Sequence, residues 1–194
     1  MQTRRQLTRL GIATVAAAAT LAAVPAGAAT LSGTSSSAPY CGIWWGSLPE
    51  HTSTGYSSGH LENVRSGRHT CFDRLVLDVD DATRGLKYDV RYVSTVRQDG
   101  SGTAVPLRGA ADIRIIARVP SYDSSGHATY RPADYEELVD TSGYSTFRQV
   151  AFAGSFEGQT TIGLGVRARL PMRAFTLVGP GDNTRLVIDV AHRW

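Results

Sequence analysis

Lysine occurs once in this 194-residue chain, at Lys87, and cysteine and methionine occur twice each. Lys87 has no serine three residues before it, which excludes a Ser-x-x-Lys hydrolase. A His-Glu-x-x-His pair, a Gly-x4-Gly-Lys-Ser/Thr loop and a Cys-x-x-Cys pair are also missing, so the common zinc-protease, phosphate-loop and redox signatures are absent. No long apolar run follows residue 24, which leaves nothing to span a membrane after the N-terminal segment. Nor does one sign of charge dominate. Lys plus Arg number 20 against 17 Asp plus Glu, and removing Arg4, Arg5 and Arg9 with the N-terminal segment leaves 17 of each. That balance speaks against a nucleic-acid or anionic-membrane partner. With 42% apolar residues the chain is not of disordered type, and its length suits one globular domain with a sizeable core.

Residues 1–28 have a basic start, an Ala-rich apolar stretch from Leu10 to Val24 and a small-residue end at Ala26-Gly27-Ala28. This is the pattern of a secretory signal peptide cleaved after Ala28. The paired Arg4 and Arg5 leave the general and twin-arginine routes both open. Export implies a protein that is extracellular or associated with the cell envelope. Cys41 and Cys71 both lie in the exported part, so an oxidising compartment favours one disulfide between them over a reactive thiol or metal site. Closing that loop stabilises the fold by about 3–4 kcal/mol in the chain-entropy model.

Residues 29–39 read as a flexible linker and residues 40–70 as an irregular arm rich in Gly, Ser and Thr, tied down by the disulfide. From residue 71 to 194 the pattern becomes one of short apolar or alternating runs. Strands are expected at Phe72 to Val79, Lys87 to Val93, Ile113 to Val119, Thr146 to Ala153, Thr160 to Arg167, Ala174 to Val178 and Arg185 to Val190. About seven short strands without long helices read as an all-β sandwich or barrel. One helical turn is expected over Arg131 to Leu138, where acidic residues cluster. The run Arg74-Leu75-Val76-Leu77-Asp78-Val79 returns as Arg185-Leu186-Val187-Ile188-Asp189-Val190. In a strand Leu75, Leu77 and Val79 share an apolar core face, and Arg and Asp on the other face are placed to pair across neighbouring strands.

The segments Arg68-His69-Thr70-Cys71-Phe72-Asp73-Arg74-Leu75-Val76, Tyr88 to Tyr92, Phe156-Glu157-Gly158 and Thr184 to His192 together resemble the AMIN-like domain family, as found in secreted proteins of actinobacteria. The resemblance runs from about residue 60 to the C-terminus, and Cys41 to Ser47 is similar to an arm carried by some members. It implies a β-sandwich and a non-catalytic role. The better-known AMIN domains, attached to cell-wall amidases and outer-membrane secretion proteins, place their partners by binding peptidoglycan or other envelope components. This sequence shows no such accompanying domain. The implied partner is therefore cell-wall glycan or an envelope protein, bound by a monomer without cofactor.

A saccharide site needs an aromatic platform and fixed polar partners. The candidate ligand-binding residues are Trp44, Trp45 and Tyr92 as platforms, with His69, Asp73, Arg74 and Glu157 as polar groups. Each also has a structural reading, as core cover or as a hydrogen-bonded support. Asp73, Glu157 and His69 define the rival reading, an extracellular hydrolase with a carboxylate pair. His51, His60 and His69 recur at nine-residue spacing, which fits no standard metal pattern, and Asp78, Asp80 and Asp81 lack the offsets of a calcium loop. No metal is expected. Gly163-Leu164-Gly165 reads as a strand kink or bulge.

Overall fold

The computed structural model describes residues 39–82 and 85–194. The expected export signal, and all but the last residue of the expected linker, lie outside the described residues. Among the described residues eleven strands form in chain order: β1 (Glu50–His51), β2 (His60–Arg68), β3 (Phe72–Asp80), β4 (Tyr88–Val93), β5 (Val96–Arg97), β6 (Ala104–Val105), β7 (Ala111–Ala117), β8 (Phe147–Phe156), β9 (Gln159–Val166), β10 (Met172–Val178) and β11 (Thr184–Ala191). Antiparallel pairing arranges them as a five-stranded sheet, β1-β4-β7-β9-β8, a four-stranded sheet, β10-β11-β3-β2, and a small β5-β6 hairpin. The chain is all-β, as its composition of short β-branched runs predicts.

Side-chain alternation builds the core. Leu75, Leu77 and Val79 of β3 and Leu186, Ile188 and Val190 of β11 are fully buried, as are Ile113 and Ile115 of β7 and Ile162 and Leu164 of β9. They belong to one hydrophobic cluster, and each contributes about 1.5–3 kcal/mol as an upper estimate.

All seven expected strands form, with ends shifted by a few residues. β2 was not anticipated: residues 60–68, read as the end of an irregular arm, are an ordered edge strand. A bulge between Leu61 and Asn63 puts its two core contacts, Leu61 and Val64, three positions apart, so the period of two is lost. The helical turn expected over residues 131–138 does not form. Asp134 Oδ1 accepts the Glu136 N–H at 2.8 Å, while Leu138 N–H donates to Val150 O and Phe152 N–H to Tyr135 O. The segment spends its backbone groups on the edge of β8 rather than on itself.

Gly163 and Gly165 also serve a purpose other than the expected kink. β9 pairs with β7 without a register shift, and the irregularities fall on the β8 side, at Phe147/Gln149 and Phe152/Ser155. A Cβ on Gly165 would meet Arg108 O at 2.0 Å, so glycine here admits close approach of the 107–108 backbone.

The disulfide joins Cys41 to Cys71, with Cα atoms 6.4 Å apart. Beyond it Gly46 forms an antiparallel bridge to Met172, and Met172 N–H donates to Gly46 O at 2.6 Å. The arm is thereby laid against the first residue of β10.

Candidate functional site

The duplicated run places β3 and β11 side by side. Val76 stands opposite Val187, Arg74 opposite Asp189 and Asp78 opposite Arg185, all on the outer face of the four-stranded sheet. The expected arginine–aspartate pairing across strands is present, but of these two oppositions only Arg74–Asp189 bonds. Arg74 Nε donates to Asp189 Oδ1 at 2.6 Å and its Nη2 to Oδ2 at 2.9 Å, a bidentate pair. Asp78 instead accepts from Arg65 Nε at 2.8 Å and Asn63 Nδ2 at 3.3 Å, both on β2. Arg185 Nε is left buried without a hydrogen-bond partner among the described residues.

Asp189 holds a second arginine. Arg173, its register neighbour on β10, donates from Nε to Oδ2 at 2.8 Å. The Asp189 side chain is fully buried, whereas those of Arg74 and Arg173 are 25% and 31% exposed. One carboxylate therefore anchors two guanidinium groups whose outer edges reach solvent, with one positive charge in excess. The hydrogen bond to Asp189 outweighs burial and raises Arg74 above its ordinary value, so the charge is permanent.

Aromatic rings border the two arginines. The Arg173 guanidinium carbon lies 5.0 Å from the Phe175 ring centre, 5.3 Å from Trp45 and 5.6 Å from Phe72, and that of Arg74 lies 5.2 Å from Phe72. His69 stacks on Phe72 at 4.5 Å, and Trp45 sits 5.8 Å from Phe72. Trp45 is fixed by its own indole N–H, which donates to Tyr40 O at 3.0 Å within the arm. Each such cation–ring contact is worth about 0.5–2 kcal/mol and orients the guanidinium planes. Further along this face Asp78 stands opposite Arg185 and binds Arg65, which itself stands opposite Val76, and the two arginines add a further positive charge to the face.

The structure thus groups three of the sequence-derived candidates, Trp45, His69 and Arg74, with Trp44 adjacent and largely exposed. The other three lie elsewhere. Asp73 points inward: its fully buried Oδ2 accepts the Thr146 N–H at 2.5 Å and the Phe147 N–H at 3.2 Å, and Oδ1 lies 3.1 Å from His192 Nε2. It latches the two sheets together. The Tyr92 hydroxyl donates to Leu170 O at 2.7 Å and accepts Leu170 N–H at 3.0 Å, while its ring, under Arg169, lines a cleft of about 640 Å³ with Asp112. Glu157 and Gly158 form the β8–β9 turn, both with positive φ. Asp73 contacts the beginning of β8 and Glu157 follows its end, about 30 Å away at strand rise. The carboxylate pair of the hydrolase reading is therefore not assembled. His60 begins β2 and His69 follows its end, again about 30 Å apart, and His51 is on the other sheet, so the three histidines share no site.

Arg173 and Phe175 escaped the sequence reading, and Asp189 was read only as an outer-face residue placed to pair with an arginine. Arg173-x-Phe175 does show the alternation that puts both on one face, but only the register of β10 on β11 reveals which face.

A family model described as the AMIN-like domain matches residues 59–192. The chain belongs to the AMIN-like family. The match begins one residue before β2 and ends one residue after β11. The AMIN-like domain thus supplies His69, Phe72, Arg74, Arg173, Phe175 and Asp189, and the arm outside it adds Trp45. Neither the curated proteins nor the solved structures contain a significant match to the chain. AMIN-like domains are generally non-catalytic modules associated with cell-wall binding. The disulfide and the family are consistent with an extracellular or envelope setting, and no helix among the described residues is long and apolar enough to cross a membrane.

Proposed function

We propose that this AMIN-like protein is an exported, non-catalytic module that binds peptidoglycan on the outer face of its four-stranded sheet. The observation that carries the reading is the Arg74–Asp189–Arg173 cluster, bordered by Trp45, Phe72 and Phe175. Peptidoglycan presents two matching chemistries. Its sugar rings offer apolar faces to aromatic side chains, and its lactyl-linked peptides end in carboxylates that suit the fork of an arginine. Asp189 holds the forks in place before the ligand arrives, which lowers the ordering cost of binding.

Cosedimentation of the mature protein with isolated sacculi tests this reading, together with assay of released sugar or peptide. Saturable sedimentation without release, weakened at least tenfold in Trp45→Ala and Arg173→Gln variants of unchanged fold, is the expected result. Failure to sediment removes peptidoglycan and directs attention to an envelope protein on the same face. Steady release of soluble fragments would instead make the protein an enzyme.

A further inference from the structure

The start of β2 and the end of β3 bring together three side chains of transition-metal-ligating type, His60, Glu62 and Asp80. His60 stands directly opposite Asp80, so their side chains are cross-strand neighbours on one face. Glu62 is the extra residue of the β2 bulge, and a bulge re-aims the side chain it carries. His60 Nε2 lies 3.7 Å from Glu62 Oε1 and 4.0 Å from Asp80 Oδ2, and the three donor atoms all fall within 4.8 Å of one another. Asp78, two residues from Asp80 on the same face, is occupied by Arg65 and Asn63. Among the described residues Glu62 and Asp80 have no arginine or lysine partner, only the shared imidazole. The His60, Glu62 and Asp80 side chains are 27%, 47% and 41% exposed, so an ion and water can reach them from solvent.

We propose that His60, Glu62 and Asp80 bind a divalent cation of the zinc class. One imidazole and two carboxylates make a three-ligand set of the kind zinc accepts, with water in the fourth position. At zinc–ligand distances of about 2.0–2.2 Å, tetrahedral donors stand about 3.4 Å apart. The present separations need to close by no more than about 1.4 Å, within reach of small side-chain rotations. Calcium is disfavoured because it takes six to eight oxygen ligands, and an imidazole is not among them. The ion would clip the edge strand β2 to its neighbour β3. The site lies on the same sheet face as the arginine cluster but six residues along β3 from Arg74, about 20 Å at strand rise, and zinc binding is measured without peptidoglycan, so the two readings are tested independently.

Zinc titration by calorimetry, on protein purified without a polyhistidine tag, tests the proposal. The expected result is one zinc per chain, with affinity at least tenfold weaker in His60→Ala and in Asp80→Asn. On addition of zinc the His60 ring resonances should shift in NMR spectra, while those of His51, His69, His127 and His192 stay in place. All three side chains are partly exposed, so the variants should fold, and their melting temperatures without metal provide the check. Absence of stoichiometric binding, binding undiminished in His60→Ala, or a shift confined to another histidine would each overturn the assignment and leave an ordinary histidine–carboxylate contact.

Discussion

Replacing Asp73 by alanine separates a structural latch from a ligand-contacting acid. The substitution strands two backbone donors, the Thr146 and Phe147 N–H groups at the head of β8, in a region that excludes water. It also removes the acceptor beside His192 Nε2. A buried donor left unsatisfied costs about 1–3 kcal/mol, and hydrogen bonds to a charged acceptor lie at the upper end. With two donors affected, the expected loss is about 3–5 kcal/mol. For a domain of this size that lowers the melting temperature by about 8–15 °C. Asp73→Asn retains one carbonyl oxygen that can still accept, so its loss should be about half as large. Urea unfolding is the assay, and the midpoint should fall with little change in slope. In both variants that remain folded, sedimentation with sacculi should persist. An Asp73→Ala loss below about 1 kcal/mol would refute the latch. Loss of wall binding in a fully stable Asp73→Asn protein would move Asp73 from the core to the ligand.

Arg74→Ala and Arg173→Ala should be strongly non-additive: either arginine alone keeps Asp189 partnered, whereas the double variant leaves a buried carboxylate unpaired at a cost of about 3–5 kcal/mol, measurable in a double-mutant cycle by urea unfolding. On the other sheet burial acts to raise Asp89, but the Arg91 hydrogen bond and the charges of Arg91 and Arg114 outweigh it and hold the carboxyl below its ordinary range. The folded state then binds fewer protons than the unfolded one, so this stability is complete above about pH 4 and is lost as pH falls through the folded value. Asp89→Asn should accordingly be less stable at neutral pH and show a shallower acid loss below about pH 4 in thermal melts. Opening the disulfide with a Cys41→Ser/Cys71→Ser double variant should cost about 3–4 kcal/mol and weaken sedimentation with sacculi, because the arm that carries Trp45 then loses its covalent tie and keeps noncovalent ones such as the Gly46–Met172 bridge and the Arg169 donation to Ser47 O.

Seven strands and the core face of β3 were legible because β-branched and aliphatic residues alternate there and polar turn residues separate the runs. β2 was not, since its bulge spaces Leu61 and Val64 like neither a strand nor a helix. The helical turn failed because tertiary partners on β8 outbid local propensity. The disulfide was expected from an even pair of cysteines in a chain whose N-terminal pattern reads as an export signal. Half of the arginine and aromatic face could be read, as Arg74, His69 and Trp45 lie in short recognisable segments. Arg173 and Phe175, and the convergence of two arginines on Asp189, depend on the order β10-β11-β3, and periodicity carries no information about which strands become neighbours. The same limit hid His60, Glu62 and Asp80, whose proximity comes from register across two strands rather than from spacing along one.

The duplicated run has a further consequence, because its two copies meet antiparallel about the Val76–Val187 pair. That pair marks a local dyad: each copy presents to the other its own residues in reverse, so arginine meets aspartate at both ends. Sliding the strands by two positions would keep the leucines inside, and hydrophobic burial alone would tolerate it. The same slide would set Arg74 against Val187 or Ala191, and Asp78 against Asn183 or Val187, cancelling both oppositions at once. The copies therefore act as a self-complementary word that admits one alignment, and the charges on the outer face proofread a register that the core cannot distinguish.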